Sequence, residues 1–204
     1  MGTADQQFIE SYLRESADLL RIYADDPAAR RTLTAFADAI TQAFRNDNKL
    51  LIAGNGGSAG DSQHIAGEFI SRLFFDHAPL PAIALTTDTS VLTAVGNDYG
   101  YEKVFERQVQ GLGRRGDVFL GISTSGKSPN VLRALEAARK SGLVTLGFTG
   151  NGPGTAEMVS RCDLVLKAPT DKTALIQQIH IVAAHIVCGL VEERIFGKER
   201  ASAA

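Results

Sequence analysis

Apolar residues recur every three to four positions through the start of the chain: Phe8, Ile9, Tyr12, Leu13, Leu19 and Leu20, then Leu33, Phe36, Ala37, Ile40 and Phe44. That spacing is helical and predicts two amphipathic helices meeting around Asp25, Asp26 and Pro27. From Lys49 the texture changes. Five short aliphatic runs, LLIAG, PAIALTT, DVFLGIS, LVTLGFTG and DLVLKAP, alternate with helix-period segments. Such alternation predicts βαβ units and an α/β fold with a five-stranded parallel sheet. Helices are expected from about Ser58 to Ser71, from about Ser90, from Tyr101 to Leu112, from Ser128 to Ser141, around Ala156 to Arg161, and from about Thr173 to Ile195. Each strand leads into small and polar residues (GNGGS, TDTS, STSGKS, TGNGPGT, APTDKT). Parallel strands bring these loops to one sheet edge, where doubly wound folds bind ligands.

Composition narrows the function classes. With 204 residues, 44% apolar and 22% charged, the chain has the make-up of one packed domain. Lys and Arg total 21 against 23 Asp and Glu, so no basic field is present to hold a nucleic-acid backbone. Cys162 and Cys188 lack C-x-x-C spacing, which argues against a thiolate metal site and suits reduced thiols in the cytoplasm. The N-terminus lacks the basic-then-apolar pattern of a signal peptide. The longest apolar run, IHIVAAHIVCGLV, is interrupted by two histidines and reads as too short to span a membrane.

Three phosphate-binding patterns compete in the loops. Gly54, Gly56 and Ala59 meet a relaxed dinucleotide pattern, but no acidic residue stands about 20 positions on. GISTSGKS, Gly121 to Ser128, satisfies the G-x-x-x-x-G-K-[ST] pattern. Its partners are weak: Pro129 follows at once, and the candidate magnesium carboxylate is Asp171. The third reading uses hydroxyls. Ser123, Thr124, Ser125 and Ser128 precede a helix with Ser128 as N-cap and Pro129 in its first turn, so a phosphate monoester fits there. The plain alternative has Ser128 capping the helix and the other hydroxyls making turn contacts. Beside this lie His64 and Glu68, four apart on one helix face and able to ligate a divalent metal. On the last helix, Gln177 and His185 are eight apart, about 12 Å along the axis, too far for one straight helix to offer both to one ion. An irregular helix start or a neighbouring subunit would resolve this. His77 and His180 read as hydrogen-bonded or exposed residues.

The segments AGNGGSAGDSQHIAGEF, LTTDTSVLTAVGNDYGYEKVF, GISTSGKSPNVLRA, GFTGN and IQQIHIVAAHIVCGLVE closely resemble the sugar isomerase (SIS) domain family, and within it the isomerases of sedoheptulose 7-phosphate. The resemblance covers nearly the whole chain. It implies a flavodoxin-like five-stranded parallel sheet flanked by helices, with an N-terminal helical pair over 1–48, the SIS domain over 49–198, and a frayed tail over 199–204. It implies a homotetramer with active sites at subunit contacts, one zinc ion per subunit, and no nucleic-acid or membrane partner. The implied activity is conversion of D-sedoheptulose 7-phosphate to D-glycero-D-manno-heptose 7-phosphate through an enediolate. That product would feed nucleotide-activated heptose biosynthesis for lipopolysaccharide, capsule or surface-layer glycans.

Carried over by position, the resemblance assigns Asn55, Gly56, Gly57, Asn97 and Asp98 to the sugar phosphate, and Ser123, Thr124, Ser125 and Ser128 to its phosphate. His64, Glu68, Gln177 and His185 match the zinc ligands. Glu68 and His185 double as the catalytic pair, and Glu68 and Gln177 also as substrate contacts. One departure is that the family commonly has a basic residue followed by Ile-Gln-Glu, where this chain has Leu175, Ile176, Gln177 and Gln178. The rival function is a non-catalytic SIS protein that binds a replication initiator. Such a protein has no need of the four metal-ligand side chains together.

Overall fold

The computed structural model describes residues 2–203, and side chains as far as residue 197. Two helices, α1 (Thr3–Asp25) and α2 (Pro27–Arg45), precede β1 (Leu50–Gly54), α3 (Gly57–Ile70) and β2 (Ala82–Ala84). Then come α4 (Thr89–Tyr99), α5 (Val104–Leu112), β3 (Val118–Ile122), α6 (Pro129–Lys140), β4 (Val144–Thr149), α7 (Ala156–Val159), β5 (Leu164–Lys167) and α8 (Thr173–Ala203). All pairings are parallel and the strand order is β2-β1-β3-β4-β5. This is the doubly wound order whose ligand crevice opens between β1 and β3.

Every aliphatic run read as a strand is one, though β2 keeps only three residues of PAIALTT. The segment expected as one helix from Tyr101 is split into a 3-10 turn, Tyr101–Lys103, and α5. α8 continues well past Ile195. Its Thr173–Gly197 stretch is therefore long and apolar enough to cross a membrane, with mean hydropathy 1.8, contrary to the shorter run seen in the sequence. Packing explains the composition instead: Leu175, Ile176, Ile179, Ala183, Ala184, Val187 and Val191 are all buried in the core. The tail expected over 199–204 lies outside the residues whose side chains are described.

The sheet divides the core in two, because alternate strand residues face opposite sides. Leu50, Ile52, Leu120, Ile122, Leu146 and Phe148 face α2, α3 and α8. Leu51, Ala53 and Phe119 face α5, α6 and Met158 of α7. α2 is part of the first layer: Phe36 stacks on Phe148 with centroids 5.5 Å apart, and Phe44 meets Phe69 of α3 edge-on at 5.3 Å. Its start is set by Asp26, whose carboxylate accepts from the Ala28 N–H at 2.8 Å, with Pro27 in the first turn. α1 contributes only Leu19 and Tyr23 to the core, and leaves Phe8 69% and Leu13 63% exposed.

Candidate active site

The loops after β1 and β3 meet where strand order reverses. They enclose a cavity of about 310 Å³ lined by Asn55, Gly56, Gly57, Ser58, Ile122, Ser123, Thr124, Ser128, Thr173 and Gln177. Ser128 stands at the N-cap position of α6, yet its hydroxyl makes no capping bond. It pairs with the Ser123 hydroxyl at 2.9 Å. The capping alternative is thus not what the fold uses, and the hydroxyls remain on the cavity wall beside the positive end of a 12-residue helix. Ser125 is exposed and outside this lining; its hydroxyl accepts from the Lys127 N–H at 3.2 Å. Gly126 turns the loop with φ +67° at a point where a side chain would meet the Thr155 backbone at 2.6 Å. Lys127, the residue a nucleotide cradle would need, is absent from the lining and lays its stem over Gly154.

The second feature sits two turns along α3. His64 and Glu68 share a helix face, with His64 Nε2 3.0 Å from Glu68 Oε1. His185 of α8 brings its Nε2 to 2.8 Å from the same His64 nitrogen. Ligand atoms of all three residues lie within 4.8 Å of one another. Two imidazole nitrogens and a carboxylate oxygen crowded onto one point suit a zinc ion, whose bonds to N and O are about 2.0–2.2 Å, with slight opening of the contacts. Nearby, Asp61 has one buried carboxylate oxygen without a partner; burial pushes its carboxyl up while His64 pulls it down.

The Gln177 amide lies against the start of α3. It faces Gly57, where a β-carbon would strike it, and Gly57 precedes His64 by seven residues. α8 is regular from Thr173, so no irregular start brings Gln177 and His185 together. Gln177 instead lines the cavity. Asn97 and Asp98 are exposed on α4, pair with each other at 2.8 Å, and are not part of the lining. The departing residues do packing work: Leu175 is buried, and Gln178 donates to the Tyr12 hydroxyl of α1 at 3.2 Å.

Four polar residues at the site escaped the sequence reading, Ser58 on the cavity wall among them. Thr173 lines the cavity, and Asn130 and Tyr101 bond the Asn55 amide. The available signal was Asn130 itself, an amide directly after the Ser-rich loop and Pro129. Cys162 and Cys188 are free, and burial pushes the Cys162 thiol up to about 12 and the Cys188 thiol well above its ordinary value.

Known proteins share the sequence and the fold of this chain. The family model described as SIS domain matches residues 11–150. Phosphoheptose isomerase from Burkholderia pseudomallei strain 1710b is 52% identical over 199 residues, covering 98% of this chain and 100% of the relative. The Aneurinibacillus thermoaerophilus phosphoheptose isomerase is 49% identical over 189 residues, 93% of this chain and 94% of the relative. Among solved structures, a phosphoheptose isomerase from Francisella tularensis superposes with TM-score 0.86 at 34% identity, covering 95% of this chain and 100% of that one. That from Neisseria gonorrhoeae gives 0.84 at 39%, covering 92% and 98%. Matched in sequence and in fold over nearly its whole length, the chain belongs to the SIS domain family, among the phosphoheptose isomerases.

Proposed function

We propose that the protein is an aldose-ketose isomerase converting D-sedoheptulose 7-phosphate to D-glycero-D-manno-heptose 7-phosphate in the cytoplasm. The observation that carries this reading is the convergence of His64, Glu68 and His185 from two helices, beside a hydroxyl-lined cavity at the helix α6 terminus. The distance between the two features suits the substrate. Seven residues of α3 separate Gly57 from His64, about 10 Å of helix, comparable to an open-chain sugar reaching from its phosphate to its first carbons.

The phosphate is held by Ser123, Thr124 and Ser128 and the α6 N-terminus, with Asn55, Gly56, Gly57 and Gln177 along the wall. This anchoring orients a flexible chain, so binding energy is spent where the chemistry needs it. Glu68 removes the C1 proton of the ketose and returns it to C2, and His185 moves a proton between the two oxygens, passing through an enediolate. His64, Glu68 and His185 would hold a zinc ion, which supplies Lewis acidity at the carbonyl oxygen. Gln177 is proposed as a further ligand contributed by a neighbouring copy, since its own chain holds it about 12 Å along α8 from His185. Asn97, Asp98 and Ser125 are assigned to the substrate in the same assembly, a homotetramer with sites at subunit contacts. The apolar groove lined by Leu20, Tyr23, Leu33, Val182, Ile186 and Leu190 supports such an assembly.

The test is incubation of the purified protein with sedoheptulose 7-phosphate, with and without a chelator. Manno-heptose 7-phosphate should form, and chelation should suppress it. Absence of product overturns the reading, and product formation undiminished by chelation overturns the metal.

A further inference from the structure

The Asn55 amide enters a closed network whose orientation follows from one unambiguous donor. The backbone N–H of Val131, in the first turn of α6, lies 2.9 Å from Asn130 Oδ1. A backbone N–H can only donate, so that atom is oxygen and the other Asn130 terminus is the NH2 group. Asn130 Nδ2 is 2.8 Å from Asn55 Oδ1, and Asn55 Nδ2 is 2.9 Å from Asn130 Oδ1. The two amides thus pair head to tail. The Tyr101 hydroxyl, 3.1 Å from Asn55 Oδ1, must then donate. Both acceptor positions of the Asn55 oxygen are filled, and one of its two N–H groups is taken.

We propose that Asn130 and Tyr101 are positioning residues that turn Asn55 into a pure hydrogen-bond donor, presenting its one remaining N–H to an anionic oxygen of the substrate. The inference rests on the phosphosugar reading of the cavity that Asn55 lines. Asn130 is 2% exposed, so these bonds form in a nearly dry setting and hold its amide in one orientation. Left free, a rotating asparagine amide would offer its carbonyl to the phosphosugar half the time, and a carbonyl repels an anion. The network removes that state.

Asn130→Asp tests this, because a carboxylate keeps the Val131 bond but cannot donate to Asn55 Oδ1. KM for sedoheptulose 7-phosphate should rise about tenfold or more with kcat reduced less than about threefold, the mark of lost ground-state binding. Tyr101→Phe, at a mostly exposed ring that the fold does not need, should raise KM about two- to fivefold, the scale of one neutral hydrogen bond. In an Asn55→Ala background neither change should raise KM beyond about twofold, because the residue they act through is gone. Unchanged KM in the single variants, or full additivity with Asn55→Ala, overturns the proposal. Should the wild type fail to turn over sedoheptulose 7-phosphate, the substrate reading falls, and the network is read separately by NMR with inorganic phosphate as probe. One of the two Asn55 side-chain N–H signals should then move, and should stop moving in Asn130→Asp; two static signals, or two moving together, overturn it.

Discussion

In the proposed reaction single residues carry the chemistry, and their spacing on helices sets what each can do. His64 and Glu68 are legible as a pair because four residues make one helical turn. The third member, His185, is 121 positions away and joins them only because α8 lies against α3. Glu68→Gln is expected to lower isomerisation about 10²–10⁴-fold, the usual worth of a positioned base, while phosphosugar binding stays measurable by calorimetry. Retained turnover would remove Glu68 as the base. The amide keeps the size and one oxygen of the carboxylate, so a loss of rate at unchanged zinc content reports the proton transfer and not the packing.

At the scale of elements, the site depends on how α8 is seated. Its far end is held by Glu192, which accepts from the Leu73 and Phe74 N–H groups and lies 2.9 Å from His77 Nε2, both side chains being almost wholly buried. The segment after α3 is thereby pinned to α8 beyond the His64–His185 contact. His77 stacks on Phe196 at 4.7 Å, so the reading of it as a hydrogen-bonded structural residue agrees with the fold. Nearer the cavity, His180 Nε2 donates to the Thr149 carbonyl at the end of β4, and its other nitrogen is buried without a partner. Burial lowers its pKa from 6.5 to about 4. The folded state therefore keeps His180 neutral while the unfolded chain takes up a proton below pH 6.5. Its contribution is intact above 6.5 and is lost as pH falls toward 4, by roughly 3 kcal/mol in all. Urea unfolding at pH 7 and pH 5 should show wild type losing more stability than His180→Leu; equal losses would contradict the assignment.

For the whole molecule, two features support the proposed assembly. α1 holds Phe8, Ile9 and Leu13 largely exposed along one stripe, and a groove between α1, α2 and α8 is lined mainly by apolar side chains. Contiguous apolar surface of this kind marks an interface. Separately, Asn97 and Asp98, which the family resemblance assigns to the substrate, lie outside the lining of this chain's own cavity. Light scattering should therefore report a tetramer for the wild type. Phe8→Glu combined with Leu13→Glu should yield smaller species, with activity falling further than thermal stability. A wild-type monomer with full activity would overturn the assembly.

The order of elements, the five parallel strands and the hydroxyl loop before Pro129 were determined by local pattern, since side-chain period and turn chemistry act over a few residues and leave a direct trace in the sequence. Tertiary structure alone decided what Ser128 does with its hydroxyl, that His185 of α8 meets His64 of α3, and that Asn130 pairs with Asn55. Each of these depends on which helices become neighbours across the sheet. That choice is made by packing between residues far apart in the chain, and no local spacing encodes it.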